Sequence, residues 1–292
     1  MRISSAVWFV TMACNFKCKY CWEVQAQERG EFKPEPFQPA EKWIAAWKRL
    51  APEILDITGG EPFLQPGLVD IISELGSSGT RLAMTSNLSH PLMEFVRNVS
   101  PNHLFSITAS YHPSQNGDRA NPMNVDVFLG RLLFLREFGF NVTVNIVTWP
   151  EQIWLIPKWI ELFHDVHKFR VHVDPYSSIA YYPWEYTGAE RTAIAKWVTE
   201  GRKPSEYRGR VLCSGGQNHL SVQPDGSAWR CILERQQMLN PIGNIFDESF
   251  SLLGERLPCD QSHICPGCDR DKVKVEAIDG PVMSLPVLQN PE

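Results

Sequence analysis

Short apolar runs recur along the first two thirds of the chain, and between them apolar residues return every three or four positions. The runs are Ala6–Val10, Ile54–Thr58, Arg81–Thr85, Leu104–Thr108, Asn141–Val147 and Lys168–Val173. Their length and content predict strands. Trp43, Trp47 and Leu50, and later Phe128, Leu132 and Leu135, keep helical spacing and predict helices with one apolar face. Strand and helix patterns in alternation predict βα units around a parallel sheet, an α/β fold. After Asp174 the pattern breaks. Pro175 to Trp184 reads as an aromatic-rich loop, of the kind that serves as a lid or binding loop, with packing as the equal alternative. One helix, Ala189–Thr199, and a polar link from Gly201 to Arg210 follow. Beyond the link, two short apolar stretches flank Asp225-Gly226, the signature of a hairpin turn. The chain therefore divides into a large domain, 1–205, and a small one, 206–292.

Composition narrows the class. With 292 residues, 43% of them hydrophobic, the chain can bury a sizeable core. Charged residues make up 21% and the net charge is only -5, so there is no basic field of the kind that draws nucleic acid. No apolar segment approaches the ~20 residues of a membrane span. Met1 to Ser5 lead straight into the first strand, so no signal peptide is expected. Eight cysteines in such a chain point to metal ligands rather than disulfides, in a reducing cytoplasm.

The cysteines carry the chemistry. Cys14, Cys18 and Cys21 form C-x3-C-x2-C directly after the first strand, with Tyr20 inside the run. Three thiolates hold three irons of a [4Fe–4S] cube and leave the fourth iron open to a substrate molecule. The alternative is zinc, for which C-x3-C is an awkward half-site. At the end of the second strand stands Gly59-Gly60-Glu61-Pro62, whose glycines permit close backbone approach to a ligand and which by itself could be an ordinary turn. Ser86 and Asn87 follow the third strand and Ser106 sits in the fourth, as ligand contacts or as helix caps. Tyr111, His112, His172 and Asp174, at later strand ends, are candidate substrate contacts or hydrogen-bonded structure.

The cysteine run followed by Gly-Gly-Glu-Pro resembles the signature of the radical S-adenosylmethionine (SAM) superfamily. That resemblance implies a partial (β/α)6 TIM-type barrel with its chemistry at the C-terminal ends of the strands. It implies that Cys14, Cys18 and Cys21 hold the cluster. The open iron then chelates SAM, and one electron, from a partner such as flavodoxin or ferredoxin, yields a 5′-deoxyadenosyl radical. By the same resemblance Gly59, Gly60, Glu61 and Pro62 hold the SAM amino group, and Tyr20, Ser86, Asn87 and Ser106 are further cofactor contacts.

A second set, Cys213 and Cys231 at C-x17-C with Cys265 and Cys268 at C-x2-C, resembles the twitch domain, the shortened relative of the SPASM domain. The resemblance implies a small α+β domain in which these four cysteines ligate an auxiliary [4Fe–4S] cluster, two clusters in all. A zinc ribbon uses two C-x2-C pairs, and only one is present. Cys259 is left over. It is either a small buried residue or spare ligand beside the cluster, or a hydrogen-atom donor, as in radical SAM carbinol epimerases of the neomycin C epimerase type. The donor reading makes the chain an epimerase of a sugar-derived small molecule, aminoglycosides included, with Cys259 as a catalytic residue. The other readings are oxidation of a cyclitol or sugar alcohol and modification of a ribosomal peptide. A two-cluster electron carrier would need neither the loop nor the barrel.

Overall fold

Strand β1, Ser5–Thr11, is buried along its whole length, because sheet or helix covers both its faces. In the computed structural model residues 3–18, 20–30, 35–113, 123–174, 187–195, 197, 211–236, 239, 241–259 and 275–277 are described. Helices α1 (Trp22–Glu28) and α2 (Ala40–Leu50) precede β2 (Ile54–Gly59), and α3 (Leu68–Ser77) leads to β3 (Arg81–Ser86). Helix α4 (Met93–Asn98), β4 (Leu104–Tyr111), α5 (Val125–Glu137), β5 (Val142–Val147), α6 (Ile156–Ile160) and β6 (Arg170–Asp174) complete six βα-type repeats. After α7 (Gly188–Ala195) come β7 (Val211–Cys213), β8 (His219–Val222), β9 (Ser227–Trp229), α8 (Ile232–Gln236), β10 (Gly243–Asn244), β11 (Leu257–Cys259) and β12 (Val275–Ala277).

The main sheet has the order β10-β9-β8-β1-β2-β3-β4-β5-β6. Strands β1 to β6 are parallel throughout, the central sheet of a partial α/β barrel. The six strands stand where the apolar runs predict them. Trp8 packs on Trp43 and Trp47 of α2, with ring centroids 4.7 and 5.8 Å apart. Tyr111 packs among Phe128, Trp159 and Phe163. Each aromatic pair adds about 0.5–1.5 kcal/mol beyond its buried area. Tyr111, an expected substrate contact, is therefore core on the helix side, and burial pushes its phenol up to about 12.

Because side chains alternate along a strand, the helix-facing positions of β1 and β4 fix which residues look into the barrel. On β4, β5 and β6 these are Ser106, Thr108 and Ser110, Thr143 and Asn145, and Arg170, His172 and Asp174. Ser110, Asn145 and His172 lie side by side in register. A closed TIM barrel fills this space with bulky aliphatic layers; here the β4 to β6 side is lined with hydrogen-bonding groups.

The expected boundary, at residues 205 and 206, lies outside the described residues. The predicted hairpin forms, with Gly226 at φ +86° in its turn, but its first strand, β8, pairs in parallel with β1 from Ser5↔His219 to Trp8↔Val222. Ser5 Oγ meets His219 Nδ1 at 2.7 Å in the core. The barrel sheet thus continues into the C-terminal third, a long-range pairing that no local pattern encodes. Strands β11, β7 and β12 form a separate small sheet. The aromatic loop from Pro175 and the pair Cys265 and Cys268 lie outside the described residues.

Candidate active site

The loop after β1 carries Cys14, Cys18 and Cys21, and all three line one cavity of about 180 Å³ at the C-terminal ends of β1 to β4. Tyr20, Gly59, Gly60, Ser86, Asn87, Ser110 and His112 share it. The loop is pinned from both sides. Thr11 Oγ1 accepts from Ala13 N at 3.0 Å, and Gln27 Nε2 on α1 donates to Met12 O at 3.1 Å. From β2, Gly60 N donates to Thr11 O at 2.7 Å and Glu61 N to Ala13 O at 2.8 Å.

These bonds account for the two glycines. A Cβ on Gly59, whose φ is +127°, would lie 2.2 Å from Thr11 O, and one on Gly60 would lie 2.0 Å from Ala13 O. The close approach is to the cysteine loop's own backbone, as well as to the cavity. Gly60→Ala should force that loop aside, lowering stability by about 1–3 kcal/mol in thermal unfolding and iron uptake on reconstitution with it; unchanged iron content would show that the loop tolerates the shift.

Glu61 does not line the cavity. Its Oε1 accepts from Ser86 Oγ at 2.7 Å and Phe63 N at 3.2 Å, and its Oε2 from Asn87 N at 2.8 Å. Burial raises its pKa and those three bonds oppose the rise. Glu61 is therefore a brace joining the ends of β2 and β3, and Pro62 begins the single 3-10 turn, Pro62–Leu64, that it caps. Asn87 Nδ2 donates to Asn15 Oδ1 at 3.1 Å and approaches Cys14 Sγ at 3.9 Å. Ser106 falls outside the cavity. Strand β4 runs on to Tyr111, which puts Ser106 near its N-terminal end and Ser110 at the cavity. The alternation Ser106, Thr108, Ser110 was the signal for this residue.

The thiols sit in a buried, acidic environment that disfavours a bare thiolate. Phe16 N donates to Cys14 Sγ at 3.4 Å, and Cys21 Sγ meets Glu23 Oε2 at 3.1 Å. Burial raises the Cys14 pKa, and burial with the Glu23 charge raises that of Cys21 well above the ordinary value. A thiolate here calls for the positive charge a metal provides. Among the described residues no three His, Cys, Asp or Glu side chains converge as on a single ion. The ligands of a cube each bond a different iron, so they need not converge on one point. The donor set and its placement fit a cube with one open iron.

Tyr20 hydroxyl meets His112 Nδ1 at 2.5 Å, and Phe16 and Trp149 stand against the pair. Although part of the His112 edge faces the cavity, burial pushes its pKa down to about 4, so it is a neutral imidazole at pH 7. At the end of β6, His172 Nε2 meets Asp174 Oδ1 at 2.8 Å.

Of the second cysteine set, Cys213 and Cys231 are among the described residues, and the chain around them meets the other end of β1. Ser4 N and Ser5 N donate to Asn218 O, and the Ser214–Asn218 turn carries Cys213 beside them. Gly215 N donates to Cys213 Sγ at 3.4 Å, and a Cβ on Gly215 would lie 2.8 Å from Arg230 O, next to Cys231. Arg230 ties the region together, donating to Gly215 O, Pro258 O and Leu257 O. Strand pairing places Leu257 opposite Cys213 and Cys259 opposite Val211, so Cys213 and Cys259 share a sheet face as diagonal neighbours, ~7–8 Å apart. Ser5 and Thr11 mark the ends of β1, separated by ~20 Å of extended chain. Cys259 thus lies with Cys213, a barrel length from the cysteine loop, and does not line the cavity.

Residues 8–163 match the Radical SAM superfamily, and the chain belongs to it. It is 28% identical over 146 residues to GTP 3',8-cyclase of Aquifex aeolicus, 47% of this chain and 45% of that enzyme. With the AdoMet-dependent heme synthase of Methanosarcina barkeri it shares 22% identity over 220 residues, 71% of this chain and 61% of that one. Among solved structures it is similar to Streptococcus suis SuiB bound to S-adenosylmethionine, with a TM-score of 0.65 and 16% identity, covering 85% of this chain and 64% of SuiB. It is also similar to anSMEcpe with bound AdoMet, at a TM-score of 0.63 and 14% identity, covering 86% and 79%. The chain spans under half the length of the cyclase and under two thirds of the heme synthase and SuiB. Family membership implies SAM and a [4Fe–4S] cluster as cofactors. No described helix is long and apolar enough to cross a membrane.

Proposed function

We propose that the chain is a radical SAM oxidoreductase that removes two electrons from an alcohol of a polar small molecule, of the sugar or cyclitol class. The observation that carries this reading is the position of Cys259. A thiol that quenches a substrate radical must face the substrate in the cavity, whereas Cys259 stands beside Cys213 at the opposite end of β1. Epimerisation with Cys259 as donor therefore has less support than oxidation with Cys259 as neighbour or ligand of an auxiliary cluster on Cys213, Cys231, Cys265 and Cys268. When bound, SAM and the two clusters supply a hydrogen-abstracting 5′-deoxyadenosyl radical and an acceptor for the second electron.

The chain's own residues supply the rest. Cys14, Cys18 and Cys21 hold the radical cluster, and Tyr20, Gly59, Gly60, Ser86, Asn87 and Ser110 form the walls against which SAM is held. The in-register row Ser110, Asn145 and His172 offers hydroxyl, amide and imidazole groups to a hydroxylated substrate. His172, oriented by Asp174, takes the hydroxyl proton as the hydrogen atom leaves the carbon. A flavodoxin or ferredoxin supplies the first electron.

Turnover in deuterated water decides between the readings. Oxidation gives a product two hydrogens lighter than substrate with no solvent deuterium on the reacting carbon. A product of unchanged connectivity carrying one deuterium at an inverted carbon, and lost in Cys259→Ala, would instead establish the epimerase.

A further inference from the structure

Arg235 is fully buried, on the helix α8 that begins immediately after Cys231. Its Nη2 meets Met12 Sδ at 3.2 Å and Gln223 Oε1 at 3.2 Å, and its guanidinium carbon lies 3.9 Å over the Phe9 ring. Four segments therefore converge on it: β1 through Phe9, the cysteine loop through Met12, the end of β8 through Gln223, and its own helix. Among the described residues the charge that acts on it electrostatically is Glu23 on α1, whose carboxylate is the group in contact with Cys21 Sγ. Ile232, one turn earlier, packs on Val7, Phe9 and Met12, so apolar residues alone could fill this space. Burying a cation costs free energy that a methionine or leucine would not, and a side chain chosen only to pack the helix would not need to be one.

We infer that Arg235 is a positioning residue for the radical cluster, holding the cysteine loop against α8 and, with Glu23, setting the cluster's reduction potential. The inference rests on the reading that Cys14, Cys18 and Cys21 hold a [4Fe–4S] cluster. Three thiolates around a cube give a net negative site that gains a further negative charge on reduction. A fixed cation in the low-dielectric interior favours the reduced form, and Glu23 opposes it. Arg235 also ties Cys231 to the same loop, since its backbone N donates to Cys231 O at 3.2 Å. Cys231 and the cysteine loop are thus joined through one residue.

The test uses the full chain reconstituted with iron and sulfide. Arg235→Met, Arg235→Lys, Glu23→Gln and the double variant Glu23→Gln/Arg235→Met are compared by iron content and by EPR-monitored redox titration, the signal that SAM addition alters marking the radical cluster. Arg235→Met should shift the reduction equilibrium about tenfold toward the oxidised form, ~59 mV for a one-electron couple. Arg235→Lys should stay near wild type, Glu23→Gln should shift the other way, and the double variant should lie between the single ones. Unshifted potentials in both Arg235→Met and Glu23→Gln overturn the inference. If Arg235→Met fails to fold or to load, Glu23→Gln decides alone: a more positive potential supports the pair, an unchanged one rejects it. Wild-type chain that takes up no iron would overturn the cluster reading itself, an outcome distinct from loaded chain with unshifted potentials.

Discussion

Replacing Cys14, Cys18 and Cys21 together by alanine is expected to remove about four irons per reconstituted chain and all formation of 5′-deoxyadenosine. All three thiols line the cavity, and they lie on a loop after β1 rather than within the sheet. The strands should therefore survive, with far-UV circular dichroism unchanged while iron and SAM cleavage disappear. Cys213 and Cys231 stand away from the cavity that the three thiols line, so the remaining irons, about four more if the auxiliary site is a cube, should stay. This separates loss of the radical cluster from general unfolding. Retention of reductive SAM cleavage in the triple variant would contradict the role of these thiols; loss of every iron would mean that the two sites assemble as one.

The barrel was legible because each strand is apolar on the helix side and bounded by turn residues. Ala6 to Val10 and Ile54 to Thr58 fall within β1 and β2 almost residue for residue. Trp43, Trp47, Phe128, Leu132 and Leu135, at helical spacing, are all buried. The cysteine loop and the two glycines were legible as chemistry. Their mechanical relation was not, because it depends on the backbone of β2 meeting that of Thr11 and Ala13. Glu61 shows the same limit. Its residue type and place point to the cofactor, while its hydrogen bonds show that it holds the protein side of the pocket. Ser106 stands at the beginning of the fourth strand in the sequence pattern, and the cavity lies at the other end of β4, where Ser110 lines it. Arg230 and Arg235 carry no local signature at all. Each acts by joining segments far apart in sequence, as β8 does in pairing with β1, and such pairings are set by tertiary packing rather than by pattern.

The position of Cys259 bears on more than one residue. Had the small sheet of β7, β11 and β12 stood over the cavity, a donor thiol and a cluster-side thiol would be indistinguishable by topology. Its anchorage through Arg230 to Gly215, and through the Ser214–Asn218 turn to Ser4 and Ser5, puts it at the N-terminal end of the barrel. An electron acceptor can act from there across the barrel interior, but a hydrogen-atom donor must touch the carbon it quenches. Helix α8 fills part of that interior between the two ends, and Arg235 within it is buried against the cysteine loop.

Glu61→Ala is expected to be the most damaging single substitution at this site that touches no proposed metal ligand. The carboxylate is 1% exposed and accepts from Phe63 N, Ser86 Oγ and Asn87 N. Removing it orphans three buried donors at about 1–3 kcal/mol each; with water partly refilling the space, roughly 3–5 kcal/mol should be lost in urea denaturation of the iron-free chain. The charge itself is not what stabilises the fold. Burial holds the Glu61 pKa above its ordinary 4.5, so the folded state binds this proton more tightly than the unfolded one. At this residue, stability is therefore gained as pH falls through the raised folded value, and the gain levels off below 4.5. Glu61→Gln separates the two effects. It keeps one oxygen for Ser86 and Phe63 but turns an amide NH2 toward Asn87 N, so it should cost less than alanine, lose the pH-dependent increment, and weaken SAM binding through displacement of the Ser86-Asn87 wall. If Glu61→Ala unfolds at the wild-type urea midpoint, the brace across β2 and β3 does not exist, and Glu61 is free for the direct cofactor contact that the sequence motif suggests.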